Sequence, residues 1–114
     1  MIVEKVLVES IQLTTAAVVY YSTSVKVQAV LTAATVSNTT ATAATVTVYF
    51  TPPGANPGAA NAIIWQQSIP AGKTVSLYQM VNHVLLSAGT TIQALASAAT
   101  ALTFRCSGYE RAIV

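Results

Sequence analysis

The sequence contains no aspartate, and charged residues make up only 7% of it. Globular domains average about 25% charged residues. The whole charged set is Glu4, Lys5, Glu9, Lys26, Lys73, Arg105, Glu110 and Arg111, and between Lys26 and Arg105 the one charge is Lys73. With 54% hydrophobic residues the chain has the opposite of a disordered composition. So few titratable groups argue against an enzyme, because acid–base chemistry needs them. A single cysteine, Cys106, excludes an internal disulfide; it alternates with Phe104 and Leu102 and reads as a small buried hydrophobe. One histidine, His83, and one cysteine without aspartate do not assemble a tetrahedral zinc site within one chain, so neither metal nor cofactor is expected. The net charge of +2 is spread over the chain without a basic stripe, which argues against nucleic acid. No apolar run reaches the roughly 18 residues of a membrane span, although mean hydropathy is +0.61. The start, Met1-Ile2-Val3-Glu4-Lys5, has an early carboxylate and lacks the apolar core of a signal peptide.

What the chain does contain is valine, threonine and alanine in short alternating runs. At 114 residues it fits one domain, 1–114, with residues 1–10 as an extended docking arm. Val25, Val27, Ala29 and Leu31 alternate with Lys26, Gln28, Val30 and Thr32, a strand pattern. Val46, Val48 and Phe50 alternate with threonines and Tyr49 in the cleanest strand of the sequence. Ser37-Asn38-Thr39-Thr40 reads as the turn between them, and the same Asn-x-Thr is better explained as a polar turn than as a glycosylation site. Pro52 to Gly58 is a loop, because Pro52, Pro53 and Pro57 remove ladder donors. Residues 62–69 resume a strand, Ile69-Pro70-Ala71-Gly72 has type I turn chemistry, and 91–96 and 101–106 form a closing pair that Ser107-Gly108 ends.

One segment has another period. Leu77, Met80, Val81, Val84 and Leu85 fall at helical spacing, with Ser76 and Gln79 as capping-box residues and Gly89 near the exit. This predicts one short helix or helical turn near residues 77–87. The whole reads as an all-β chain, an antiparallel β-sandwich of Ig-like or jelly-roll type carrying that helix.

The residues with chemical potential are few. Cys106 and His83 would have to meet as thiolate and base, and no local protease signature accompanies them. Glu4, Glu9 and Glu110 would have to meet as a carboxylate pair, and none has a polar cluster around it in sequence. Salt bridges are the plainer use. Trp65 and the tyrosines at 20, 21, 49, 78 and 109 suit a sugar-binding face or a protein interface, and interfaces are the commoner use of exposed aromatics.

The order of short motifs resembles that of small structural proteins of tailed bacteriophages. The points of likeness, over Thr14 to Arg111, are Val36-Ser37-Asn38-Thr39-Thr40, Val46-Thr47-Val48-Tyr49-Phe50 and Ile69-Pro70-Ala71-Gly72-Lys73-Thr74, then Leu86-Ser87-Ala88-Gly89-Thr90-Thr91-Ile92 and Ser107-Gly108-Tyr109-Glu110. That group often has Gly-Asp-x-Ile where this chain has Gly89-Thr90-Thr91-Ile92, so an acidic contact at that point does not carry over. The resemblance implies a β-sandwich virion subunit without catalytic residues, made in the host cytoplasm, that assembles symmetrically as a head decoration or neck protein. Its partners would be copies of itself and other capsid, neck or tail proteins. A tail, baseplate or fibre-attachment component and a carbohydrate-binding adhesion module are the alternatives. The expected assembly contacts are Pro52, Pro53, Pro57, Trp65, Tyr109, Glu110 and Arg111.

Overall fold

A computed structural model describes residues 2–85 and 88–112. Among the described residues nine strands form two antiparallel sheets: β1 (Ile2–Gln12), β2 (Val18–Ser22), β3 (Val27–Asn38), β4 (Ala44–Thr51), β5 (Ala62–Ile69), β6 (Thr74–Ser76), β7 (Val84–Leu85), β8 (Thr91–Ala96) and β9 (Leu102–Ala112). The first sheet runs β1-β9-β3-β6, with β7 also on β3; the second runs β2-β8-β4-β5. Taking β6 and β7 as two halves of one interrupted strand gives the strand order of an eight-stranded jelly roll, which decides between the two sandwich types expected. Inward-facing apolar residues at alternate positions account for it. Leu31, Ala34 and Val36 of β3 and Leu102, Phe104 and Cys106 of β9 pack against Val46 and Val48 of β4 and Ile92, Ala94 and Ala96 of β8 in one core.

Among the described residues, the expected helix or helical turn takes the shorter of its two forms, a turn. Residues 78–80 form a single 3-10 turn, Ser76 ends β6, and no side chain caps the turn. Backbone pairing to β3 explains this: Leu77 N donates to Ala34 O, Asn82 N to Leu31 O, and Leu31 N to His83 O. Asn82 adopts φ +69, which a continuing helix does not allow. Positions 86 and 87 of the predicted helix lie outside the described residues.

Three strand boundaries and one turn also differ. Val25 precedes β3, because Lys26 turns the chain at φ +59. β3 runs on through Asn38, whose buried amide then organises the turn: its Nδ2 donates to Thr42 O and Ile69 O, and its Oδ1 accepts from Thr40 N and Thr40 Oγ1. Ser107-Gly108 does not end β9, which continues to Ala112. Gly108 lies where β3 bulges between Leu31 and Ala33, and a Cβ there would stand 2.0 Å from Val30 O. A glycine inside a strand marks close approach of backbones rather than a stop. The Pro70 turn closes one residue later than expected, with Lys73 N donating to Pro70 O and Gly72 third at φ +69.

Candidate functional site

Charge is segregated in the folded chain. β1 carries Glu4, Lys5 and Glu9, and its neighbour β9 carries Arg105, Glu110 and Arg111. The four strands of the second sheet carry no charged residue at all. Sequence order hid this, because β1 and β9 stand at opposite ends of the chain.

The four sheet edges differ accordingly. An open edge is a template for another strand, and proteins blunt it with charge, proline or bulges. β1 is blunted by its three charges and by two register shifts against β9. β5 is blunted by irregular pairing with β4 and by Gln66 at φ +49, whose N–H goes to Thr47 Oγ1 rather than to a strand. β2 has no charge and no proline, and Val18 and Val19 are exposed, Val19 at 50%. One register shift, between Val19 and Tyr21, is its sole irregularity against β8. β6 and β7 are likewise uncharged, with Val84 exposed and Tyr78, at 79%, standing out from the turn between them. β1 and β2 lie along one side of the sandwich, and β5 with the Tyr78–Met80 turn along the other.

A polar clasp ties the β2 edge to the charged pair of strands. Tyr21 on β2 donates its hydroxyl to Glu110 Oε2, and Lys5 Nζ on β1 donates to Glu110 Oε1 at 3.2 Å. The Tyr21 bond holds the Glu110 carboxyl below its ordinary range, Lys5 adds to this, and partial burial works against both. Burial first, then the bond to Glu110 and its charge, raise the Tyr21 phenol.

The expected contact residues fall into three separate places. Pro52 and Pro53 are exposed on the loop after β4, Pro57 is half-buried, and the Pro53 side chain lies against Gly89. Trp65 is 55% exposed on β5. Tyr109, Glu110 and Arg111 follow one another on β9: Glu110 joins the clasp, and Arg111 Nε donates to Gln28 Oε1 at 3.0 Å. Residues 2–12, which span most of the expected docking arm, are extended and paired as β1 with β9 of the same chain; position 1 lies outside the described residues. Sequence offers Tyr21 only among the aromatics that suit an interface or a sugar-binding face, and Lys5 only among the charges. The signal available was that a chain with three carboxylates places each of them for a reason.

Neither catalytic pairing weighed from sequence is assembled. Cys106 is fully buried on the inner side of β9, and burial pushes its thiol up to about 12, away from thiolate chemistry. The His83 ring packs edge-on against Phe50, with centroids 5.2 Å apart. Glu9 reaches Arg105 at 3.9 Å while Glu110 is held by Lys5 and Tyr21. A depression of about 120 Å³ beside the β3 bulge, lined by Ala33, Ala34, Thr35, Arg105 and Ser107, falls below the roughly 300–1,000 Å³ of small-molecule sites. The native protein is therefore expected to leave Cys106 unmodified by an aromatic disulfide reagent at pH 8 over an hour, and to react fully once unfolded in guanidinium. Rapid native reaction would show that the β1–β9 pair opens.

Fold and edges together define a jelly-roll β-sandwich with two unguarded strand edges. No protein-family model and no curated protein matches the sequence. Among solved structures, the chain is similar to one described under the words "Bacillus endospore appendages form a novel family of disulfide-linked pili". The TM-score is 0.59 at 17% identity, over 99% of this chain and 89% of that one. At that identity the likeness is one of fold.

Proposed function

We propose that this chain is a non-enzymatic structural subunit that assembles with copies of itself, β2 of one copy adding as a strand to the β6–β7 edge of the next. One observation carries the reading: of the three edges without charge, the two that lack the irregular pairing and left-handed Gln66 of β5, namely β2 and β6–β7, lie in different sheets and on opposite sides of the sandwich. A contact between two different surfaces is heterologous, and it propagates as a filament or closes as a ring. Main-chain hydrogen bonds would supply register, and burial of Val18, Val19, Val84 and Tyr78 would add about 25 cal/mol per Å² of apolar area. The neutral threonine- and alanine-rich surface desolvates at lower cost than a charged one.

The fold shared with an appendage subunit supports a filament. Covalent linkage of the kind named for those pili does not extend to Cys106, which is buried in the folded domain. A phage head-decoration or neck subunit is the second reading, favoured by the turn motifs from Ser37 to Glu110 and by the use of jelly rolls in viral capsids. Under it the same edges pair in a closed ring or on a particle made by other virion proteins.

Val19→Lys tests the shared core of both readings, because lysine on an edge strand opposes strand addition and Val19 is solvent-facing. The purified wild-type protein is expected to form filaments or rings in electron micrographs and to scatter light as concentration rises. The variant is expected to stay monomeric, with melting unchanged within about 0.5 kcal/mol. A wild-type protein that stays monomeric at high concentration, alone and with particles, would sink the proposal. Open filaments favour the appendage reading; rings, or assembly on particles alone, favour the virion.

A further inference from the structure

We propose that Tyr21, Glu110 and Lys5 form an acid-released clasp on edge strand β2, so that lowering the pH loosens the strand through which copies add. The inference rests on the assembly reading above and names a control on the same edge.

The geometry is specific. Two side chains, one from each sheet, converge on the carboxylate of a residue on a third strand. β2 has five residues and one partner strand, β8, among the described residues. Beyond that ladder, Thr23 ties the chain to Thr90 O through its N–H and its hydroxyl, and Tyr21 ties it to the opposite sheet. The groups facing Glu110 are few. Opposite it stand Val3 on β1 and Ala29 on β3, neither of which titrates. On its own strand, the adjacent Arg111 turns to Gln28 on β3, and Tyr109 pairs across with Glu4 and Val30. From the second sheet, Tyr21 reaches it; Ile92 stands beside Tyr21 and Phe50 beyond, and His83 packs on Phe50. Lys5 and Tyr21 are thus the ionisable groups bonded to it.

The direction follows from the ionised form. Tyr21 and Lys5 both donate to a carboxylate, and charge-assisted bonds are about twice as strong as neutral ones. Because the folded carboxyl titrates below its ordinary range, its contribution is complete above the unfolded value near 4.3 and drains away as the pH falls through the lower folded one. In alkali the raised Tyr21 phenol stays a donor past its usual range. Among the carboxylates of the described residues, acid has little else to act on. The chain has no aspartate, Glu4 is exposed, and Glu9 stands 82% exposed at 3.9 Å from Arg105. A composition poor in carboxylates confines the effect to one edge of the sandwich.

Hydrogen exchange followed by mass spectrometry tests this on the full chain below its assembly concentration, from pH 7 to pH 3, corrected for intrinsic exchange. In the wild type, protection of the peptide covering residues 18–22 is expected to fall about tenfold relative to β4 in acid, the scale of one charged hydrogen bond. Glu110→Gln and Tyr21→Phe are expected to show that loss already at pH 7, with a flat profile. Lys5→Met, which keeps the Tyr21 bond, is expected to move the acid midpoint upward, and it serves if the other two fail to fold. Glu9→Gln is expected to change nothing. The proposal is overturned if β2 tracks β4 across the whole range, or if Glu110→Gln keeps the wild-type profile. Light scattering of concentrated wild type over the same range separates the two readings. No assembly at any pH removes the subunit proposal while exchange still reads the clasp. Assembly with flat exchange removes the clasp alone.

Discussion

Gly108→Ala is expected to destabilise the domain by roughly 3–5 kcal/mol, among the largest effects a single methyl group produces. The added Cβ would stand 2.0 Å from Val30 O, 3.0 Å from Val30 C and 3.1 Å from Leu31 Cα. All three are backbone atoms, so no side chain can swing aside. β9 would have to withdraw from β3 at the bulge between Leu31 and Ala33, and β9 is also the strand that holds β1. Domains are stable by only about 5–15 kcal/mol. Thermal or urea unfolding should therefore show a melting point lowered by roughly 10–20 °C, or no folded protein. Gly58→Ala is the matched control: its backbone is extended and nothing lies within 4 Å of a Cβ there. It should melt like the wild type. Equal stability of the two variants would mean that the bulge yields freely.

Asn38→Asp should cost comparably at neutral pH, roughly 3–5 kcal/mol, and should reverse the usual pH trend of stability. The Asn38 amide is buried and fully employed, donating to Thr42 O and Ile69 O at 2.9 and 3.0 Å while accepting from Thr40 N and Thr40 Oγ1. A carboxylate keeps the two accepted bonds but faces two carbonyl oxygens with no proton to give. Its folded pKa would rise above the unfolded value, so stability would be greater in acid and would fall as the pH climbs through the folded value. Denaturant midpoints at pH 4 and pH 8 measure this, with the higher midpoint expected at pH 4. Asn38→Ala should lose roughly 2–3 kcal/mol with no such pH dependence. A higher midpoint at pH 8 for the Asn38→Asp variant would contradict the assigned orientation of the amide.

The legible part of the fold was the part governed by period-two burial. Val46, Val48 and Phe50 announced β4, and Leu102, Phe104 and Cys106 announced β9, because inward residues there face a dry core. The segment from Leu77 to Leu85 holds a turn and not a longer helix for a physical reason. Leu77, Met80 and Leu85 are indeed buried, but each is delivered by a separate turn or short strand pinned to β3. Helical spacing arose from an interrupted strand. Gly108 misled because a stop and a close approach call for the same residue. Of the candidate contacts, Glu110 is the one bonded to both neighbouring β1 and the opposite sheet, and its partners Lys5 and Tyr21 are 105 and 89 residues away along the chain. The uncharged β2 edge was equally hidden, since its neighbours are decided by topology and not by adjacency.

The pairing of Ile2 with Arg111 and of Val27 with Ala112 has a consequence for how the domain is joined to anything else. The chain enters and leaves side by side, at the same end of a body 48 Å long. Cargo fused ahead of β1 or behind β9 is therefore delivered to one pole, and the opposite pole, with its alanine and threonine turns, stays bare. A short bridge between the two ends would close the backbone into a ring without crossing either sheet.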